Sequence, residues 1–315
     1  MDFSIFDKDS SPRRKIKSKG AEPVKIFILF CEEIHIFRLE INRHASIVIL
    51  SSKNTINTER IIMKHSQLAA QLYTVRDYAK TTADFAGTMK KIKAIGYEAV
   101  QVSGIGPVPE DEIRRISEGE GLTICATHEN GATIIDDVDS VIARLKAINC
   151  KYTAYPWPHI VPATHYGAVD MAKKLNASAE KMAAAGLGLC YHNHAIEFQR
   201  LDGELLLDIY YNNAPALLGE IDTFWVQAGG GNPVEWVKKL AGRMPLLHLK
   251  EFAVSGNDKR MSYIGGGNLD WKNIIAAGEA GGVEYFIVEQ DDCNGMCPFE
   301  ALKRSYDYLT ENFVR

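Results

Sequence analysis

The segment GLGLCYHNH (186–194) places His192 near the end of a short apolar run that is typical of a β-strand. Three later segments share this design, each ending on or beside a residue that can bind a metal: LLGEID (217–222, Asp222), MPLLHLKE (244–251, His248) and YFIVEQD (285–291, Glu289). Stretches with helical periodicity separate the four runs, a pattern typical of buried parallel strands. Because parallel strands of a closed barrel end on one face, we predict that these four side chains lie together.

Two imidazoles and two carboxylates form a ligand set of nitrogen and oxygen donors without thiolate. Such a set suits Mn, Co, Fe, Zn or Mg better than a sulfur-seeking ion. A single His or Asp after a strand is usually a helix cap or a hydrogen-bonded core residue. The same ending on four strands favours one shared divalent metal site, with His192, Asp222, His248 and Glu289 as ligands.

Apolar runs recur from Leu68 onward at a mean spacing of roughly 31 residues, which implies eight βα units. Helical patterns lie between them, for example TTADFAGTMKKIKAIG (81–96), with Thr or Asp to cap its start and Gly96 at its end. The segment 169–186 repeats that design. This alternation predicts an α/β fold, a (β/α)₈ TIM barrel. An open doubly wound sheet is the alternative, but no Gly-rich dinucleotide loop follows the first strand.

Composition separates two regions of the 315-residue chain, whose net charge is −4. Residues 1–62 carry 11 basic and 8 acidic side chains and lack the strand-helix rhythm, so we predict a poorly ordered or appended N-terminal extension followed by a barrel over residues 63–315. The net-acidic barrel region argues against nucleic acid as a partner. Because no run of about twenty apolar residues occurs, we expect no membrane association and a soluble, cytoplasmic protein.

Five motifs, in their order along the chain, resemble the sugar phosphate isomerase/epimerase superfamily with its xylose isomerase-like TIM barrel. They are QLYTVRD (71–77), YHNHAIEF (191–198), EIDTFWV (220–226), HLKE (248–251) and VEQD (288–291). The likeness covers roughly residues 66–313, and the YHNH pattern resembles a branch often labelled only as sugar isomerase. In the ketose 3-epimerase branch, the metal ligands are Glu, Asp, His and Glu, and the two glutamates also move protons. Asp222, His248 and Glu289 match the last three positions, whereas His192 stands where that branch has Glu.

The resemblance implies a metal-dependent isomerase or epimerase acting on a ketose or keto-sugar, with Mn expected first and Co, Mg, Zn or Fe as alternatives. A metal that chelates such a sugar stabilises the enediolate formed by loss of the α-proton. We predict Glu289 as the base, with Glu197, His194 or a metal-bound water as the acid. Departure of a β-substituent from the same enediolate would instead make the protein a lyase or dehydratase on a 3-keto sugar or inosose. A non-catalytic sugar-binding subunit is the third alternative.

The remaining predicted site residues bind the small-molecule sugar at the same face of the barrel: Gln71, His128, Glu129, Trp157, Trp225 and Lys250. Trp157 and Trp225 offer aromatic surface to a sugar ring. His128 has a second interpretation as a helix cap, and Lys250 as a structural ion pair. The Gly-rich stretches 227–233 and 263–271 leave open whether the substrate is phosphorylated, although neither is a P-loop. Barrels of this kind often form dimers or tetramers, so a homo-oligomer is a candidate assembly.

Overall fold

The computed structural model describes residues 25–31, 34–40, 46–52 and 63–314. The chain divides into two compact units, Met1–Arg60 and Ile61–Arg315. In the first unit, three antiparallel strands form one sheet: β1 (Lys25–Cys31), β2 (Ile34–Glu40) and β3 (Ser46–Ser52). The rest of the predicted extension lies outside the described residues, so its appended or poorly ordered character stays a prediction.

The second unit contains a closed barrel of eight parallel strands, which confirms the predicted (β/α)₈ fold. In chain order the strands are β4 (Leu68–Gln71), β5 (Ala99–Val102), β6 (Thr123–His128), β7 (Tyr152–Tyr155), β8 (Gly188–His192), β11 (Leu218–Asp222), β12 (Leu246–Leu249) and β15 (Tyr285–Val288). Pairing of β15 with β4 closes the barrel. Each strand begins within about two residues of the apolar run that predicted it.

Helices connect the strands over residues 63–314. They are α1 (Thr82–Ile95), α2 (Glu110–Gly119), α3 (Gly131–Asp136), α4 (Val138–Ala147), α5 (His165–Ala184), α6 (Leu206–Asn213), α7 (Thr223–Ala228), α8 (Pro233–Lys239), α9 (Trp271–Ala280) and α10 (Pro298–Phe313). The predicted caps of α1 are confirmed, since Thr81 accepts the Asp84 amide and Gly96 ends the helix at φ +124°. The helix α5 begins before the predicted segment because Thr164 caps it by accepting the Gly167 amide. No helix in this part of the chain combines the length and apolarity of a membrane span.

Two short antiparallel pairs interrupt the barrel rhythm. One joins β9 (Arg200–Leu201) to β10 (Glu204–Leu205), and the other is a hairpin of β13 (Glu251–Ser255) with β14 (Asp258–Ser262) directly after β12. The buried carboxylate of Glu251 accepts the amides of Gly265 and Leu269 at 2.9 and 3.2 Å and the Trp271 indole N–H. This carboxylate therefore holds the Gly-rich stretch 263–271 from inside the protein.

The barrel interior is built in layers, because every second residue of a strand points inward. An apolar layer includes Ala69, Ala99, Cys190, Leu246 and Ile287. Two residues further along the same five strands or just past their ends stand Gln71, Gln101, His192, His248 and Glu289, all buried. The change from apolar to polar therefore occurs at one level around the barrel, and the candidate site lies above it.

Candidate metal centre

The four predicted ligands come from neighbouring strand ends and converge in the barrel. One ligand atom from each of His192, Asp222, His248 and Glu289 lies within 4.8 Å of all the others, and all four residues are buried. The Asp222 Oδ2 atom is 3.9 Å from His192 Nε2 and 4.0 Å from His248 Nδ1, and His248 Nδ1 is 2.9 Å from Glu289 Oε2. Metal bonds of about 2.1 Å place ligands roughly 3 to 4 Å apart, so the spacing suits a divalent ion.

Asp222 divides its two carboxylate oxygens between folding and the candidate site. Its Oδ1 accepts the backbone N–H of Trp225 at 2.9 Å and so caps α7. Its Oδ2 is buried and makes no hydrogen bond to any described residue, although the Lys250 ammonium lies 3.0 Å away. The oxygen left over by the cap is therefore the one that faces the other ligands.

Glu220 is a buried carboxylate that the sequence interpretation missed. It lies on β11 two residues before Asp222 and pairs with His192 of β8, so its side chain points inward one level below that of Asp222. The Glu220 Oε1 atom is 2.6 Å from His128 Nε2, 3.1 Å from His248 Nε2 and 3.2 Å from His192 Nδ1. The signal was present, because a charged residue at the inward phase of an apolar strand needs partners.

The charges of this cluster shift the pKa values of its members in opposite directions. Burial lowers the pKa of His248, but the carboxylates of Glu220 and Glu289 outweigh it and raise that pKa to about 10. Burial and the neighbouring His248 lower the pKa of His192 to about 4. Burial raises the pKa of Glu289, but Lys250 and His248 outweigh it and hold that pKa well below its usual range. The metal-free site therefore contains one protonated and one neutral imidazole among ionised carboxylates.

Lys250 is fully buried and faces three carboxylates. Its Nζ lies 3.0 Å from Asp222 Oδ2, 2.9 Å from Glu289 Oε2 and 3.0 Å from Asp291 Oδ2. With Glu220, these groups carry up to four negative charges, the fourth when Asp291 is ionised, against one ammonium and the His248 imidazolium. A divalent cation that displaces the imidazolium proton would reduce the excess negative charge, so the charge balance also fits a metal. The structural ion-pair interpretation of Lys250 agrees with these contacts, while its substrate role stays a prediction.

Replacing Lys250 with methionine is expected to strengthen metal binding. The ammonium lies 3 Å or less from two predicted ligand oxygens, so its removal withdraws a repulsive charge from the ion. We expect the Kd for Mn²⁺, measured by titration calorimetry, to fall about tenfold or more, equivalent to roughly 1.4 kcal/mol. Lys259→Met, at an exposed residue of the hairpin, is the matched control and should leave the Kd unchanged. Weaker binding by Lys250→Met would contradict this account.

A pocket of about 590 Å³ opens above the four ligands. Among the residues that line it are Tyr73, His128, Glu129, Trp157, His192, His194, Trp225, Lys250, Glu289 and Asp291. The ring of His194 lies between the two tryptophans, with centroids 4.6 Å from Trp157 and 5.1 Å from Trp225. Burial and the neighbouring His192 lower the pKa of His194 to about 2, so its imidazole is neutral. The walls are therefore aromatic and the floor is charged, an arrangement that suits a small-molecule ligand.

His128 and Glu129, at the end of β6, line the pocket but already contact other protein side chains. His128 Nε2 contacts Glu220, and its Nδ1 is 3.3 Å from Ser103 Oγ. Glu129 forms an ion pair with Arg144. The helix-cap interpretation of His128 is wrong, because Asn130 caps α3 by accepting the amides at 132 and 133. Substrate binding by His128 and Glu129 stays a prediction.

Two of the residues predicted to bind substrate or transfer protons, Gln71 and Glu197, lie outside the pocket lining. Gln71 is buried and donates from Nε2 to Gln101 Oε1 at 2.8 Å. Glu197 is buried and accepts the Tyr191 hydroxyl at 2.9 Å and the His194 amide at 2.7 Å. These placements favour structural roles for both, through Gln101 and through the turn after β8. Since neither side chain lines the pocket, their roles in substrate binding and proton transfer stay predictions.

Glu197 makes stability depend on pH. Burial raises its pKa to about 7 from a reference of 4.5, so the folded state retains this proton when the unfolded chain has lost it. The stabilisation is complete below pH 4.5 and is lost as pH rises through 7, by on the order of 3 kcal/mol. We therefore expect Glu197→Gln to gain stability relative to wild type between pH 5 and pH 8 in urea unfolding. Parallel pH profiles of the two proteins would refute this assignment.

Comparisons with known proteins identify the fold. No protein-family model matches the sequence, and no curated protein matches it. Two crystal structures of proteins named sugar phosphate isomerase/epimerase, both from Parabacteroides distasonis ATCC 8503, match with TM-scores of 0.68 and 0.67. Their identities are 18% and 25%, over 82% and 78% of this chain and 98% and 97% of theirs. The chain has the fold of the sugar phosphate isomerase/epimerase barrels.

A third structure with a similar fold is named for a different activity. It is the probable 3-DHS dehydratase from Bacillus anthracis involved in petrobactin synthesis, which matches with a TM-score of 0.60 and 14% identity. The match covers 79% of this chain and all of the other. Proteins with this fold are therefore named both as isomerases or epimerases and as a dehydratase. Membership of the YHNH-type branch stays a prediction.

Proposed function

We propose that this protein is a metal-dependent enzyme that isomerises or epimerises a ketose or keto-sugar through an enediolate. One observation carries the proposal: ligand atoms of His192, Asp222, His248 and Glu289 converge from four neighbouring strands beneath the pocket, and Asp222 Oδ2 has no hydrogen bond there. Bound at these residues, a divalent ion such as Mn²⁺ would polarise the sugar carbonyl and acidify the adjacent C–H. The similarity to the two Parabacteroides proteins, both named sugar phosphate isomerase/epimerase, supports the same reaction class.

The residues around the ligands support distinct roles. Glu289 lines the pocket and is ionised, so its carboxylate would take the α-proton and return it to the neighbouring carbon, while the hydroxyl proton would pass to the former carbonyl oxygen. Trp157 and Trp225 would pack against the sugar ring, with the neutral His194 between them as a hydrogen-bond partner. A single base of this kind suits a proton transfer on one face of the enediolate. The geometry therefore favours isomerisation over a two-glutamate epimerisation.

The charge of the pocket favours an unphosphorylated sugar. Among the described lining residues the cation is Lys250, and three carboxylates surround it. Glu129 adds a further acidic side chain to the lining. The Gly-rich stretch 263–271 is held by the Glu251 carboxylate, which would repel a phosphate. We therefore propose a neutral keto-sugar as the substrate.

Elimination is the second candidate, favoured by Asp291. This pocket residue donates no ligand to the cluster, and burial together with Glu289 raises its pKa to about 6. A carboxyl group that is partly protonated near neutral pH can give its proton to a departing hydroxyl or alkoxide. His192 in place of the first glutamate of the family ligand set also fits a lyase better than an epimerase. The dehydratase match is consistent with this alternative.

The test is solvent exchange with product analysis. Metal-free protein would be reconstituted with Mn²⁺ and incubated with unphosphorylated ketoses, 3-keto sugars and inososes in D₂O. Deuterium at the α-carbon with a rearranged sugar supports isomerase or epimerase activity, whereas an unsaturated product supports the lyase. Binding of sugar by metal-free protein without any exchange would instead support a sugar-binding subunit. Each compound would also be tested as its phosphate ester, and turnover confined to the esters would refute the neutral substrate.

A further inference from the structure

Three imidazoles surround one buried carboxylate oxygen. Glu220 Oε1 lies within 3.2 Å of ring nitrogens from His128, His192 and His248, and Glu220 Oε2 accepts Gln101 Nε2 at 2.8 Å. Glu220 has no exposed surface and does not line the pocket. Burying the charge of this carboxylate beneath the predicted metal ligands costs free energy unless its hydrogen-bond partners compensate for it.

The hydrogen bonds around Glu220 determine which nitrogen of His248 carries a proton. An ionised carboxylate only accepts, so the amide of Gln101 must turn its NH₂ group toward Glu220. The Gln101 Oε1 atom then faces His248 Nε2 at 2.6 Å and Gln71 Nε2 at 2.8 Å. Because the two oxygens nearest to His248 Nε2 are both acceptors, that nitrogen must be the donor. When His248 is neutral, its lone pair is on Nδ1, the nitrogen that faces Asp222 and Glu289.

His192 has the complementary orientation. Its Nδ1 is buried, has no aligned hydrogen bond and lies 3.2 Å from Glu220 Oε1, whereas its Nε2 faces Asp222 Oδ2. A small ring rotation would let Nδ1–H donate to Glu220 and leave the lone pair on Nε2. His192 Nδ1 and His248 Nε2 thus face the Glu220 carboxylate. The other ring nitrogens, His192 Nε2 and His248 Nδ1, face Asp222 Oδ2.

We propose that Glu220 is a positioning residue that fixes the tautomer and orientation of His192 and His248 for the metal above it. The inference rests on the proposed function, because it assumes that the upper cluster is the metal site. Carboxylates that accept the second N–H of a metal-bound imidazole act in this way. Glu220 itself is not a ligand, and His128 completes the hydrogen bonding of its Oε1 without binding the ion.

The competing assignment places the ion one level lower. Single atoms of His128, His192, Glu220 and His248 also lie within 4.8 Å of one another. In that layer, however, Glu220 already accepts two strong hydrogen bonds, from His128 at 2.6 Å and Gln101 at 2.8 Å. In the upper layer, Asp222 Oδ2 accepts no aligned hydrogen bond, and its partner is the Lys250 ammonium at 3.0 Å. The two assignments differ in the number of imidazoles on the metal, two in the upper layer and three in the lower.

The test is metal binding by full-length Glu220→Gln and His128→Gln, measured with Mn²⁺ by calorimetry, together with a count of bound imidazoles by pulsed electron paramagnetic resonance. We expect Glu220→Gln to weaken binding 10- to 100-fold with one ion still bound. His128→Gln should stay within about threefold of wild type. The wild-type imidazole count should be two, a readout that needs no variant to fold.

Other outcomes overturn the proposal in recognisable ways. Three imidazoles in wild type, with binding abolished by His128→Gln, would place the ion in the lower layer. Unchanged affinity in Glu220→Gln would show that the carboxylate does not position the ligands. If the metal data are as expected but no keto-sugar exchanges its proton, the proposed function fails while the role of Glu220 holds. Absence of metal binding in wild type would overturn both.

Discussion

Asp222→Asn is expected to reduce metal affinity more than about 100-fold and to abolish α-proton exchange. The substitution keeps the oxygen that caps α7, because asparagine is an equally good N-cap residue. It replaces Oδ2 by an NH₂ group, which cannot coordinate a cation and which faces the Lys250 ammonium. The fold should therefore persist while the centre of the ligand set is lost. Elemental analysis after Mn²⁺ reconstitution, followed by deuterium exchange on the same sample, measures both effects.

Asp258→Asn is the matched control for this prediction. Asp258 is exposed on the hairpin strand β14, so the same chemical change there should leave metal content and exchange unaltered. Near-stoichiometric metal in Asp222→Asn would show that the ion does not use this carboxylate. Thermal unfolding within a few degrees of wild type would establish that any loss of metal is local.

Glu289→Gln is expected to lower the rate of proton exchange 100- to 10,000-fold, which is the usual contribution of a positioned base. Glutamine has nearly the same shape and retains an oxygen for His248, which lies 2.9 Å from Glu289. It cannot accept a proton from carbon. We therefore expect weakened but measurable Mn²⁺ binding, together with exchange that stays slow even at saturating metal. Single-turnover exchange as a function of Mn²⁺ concentration separates the two losses.

Glu284→Gln provides the control at the other end of the same strand. Glu284 precedes β15 and is ion-paired with Lys151 at 3.3 Å on the protein surface. Its replacement should change neither metal binding nor exchange. If Glu289→Gln exchanges at the wild-type rate once saturated with metal, the base must be another residue, and Asp291 is then the first to replace.

The strand ends were predictable from the sequence because each apolar run is followed by a residue that can bind a metal. Apolar runs locate the strands, and a ligand type at the end of each run becomes informative when four strands repeat it. Glu220 and Gln101 were missed because they interrupt apolar strands from within, where a polar side chain reveals its role only through partners on other strands. Those partners are distant in sequence, so no local pattern identifies them.

Glu197 illustrates the opposite difficulty. It was predicted as a candidate catalytic acid, but the chain turns after β8 and directs its carboxylate to the Tyr191 hydroxyl and the His194 amide. Lys250 was predicted as a sugar-binding residue or a member of an ion pair, yet the number of carboxylates around it depends on how strands β11 and β15 approach β12. The local sequence predicts the direction in which a strand residue points, but it does not predict which side chains from other strands surround that residue.

The two carboxylate oxygens of Asp222 link the candidate metal site to the fluorescence of Trp225. One of its oxygens ends α7 at the Trp225 amide, while the other faces the candidate ion, so a change in occupancy acts directly on the turn that carries an indole. That indole also lies 5.4 Å from the Lys250 ammonium and next to the His194 ring. Redistribution of charge a few ångströms from a tryptophan alters its emission. Trp225 emission is therefore expected to report binding of the proposed ion.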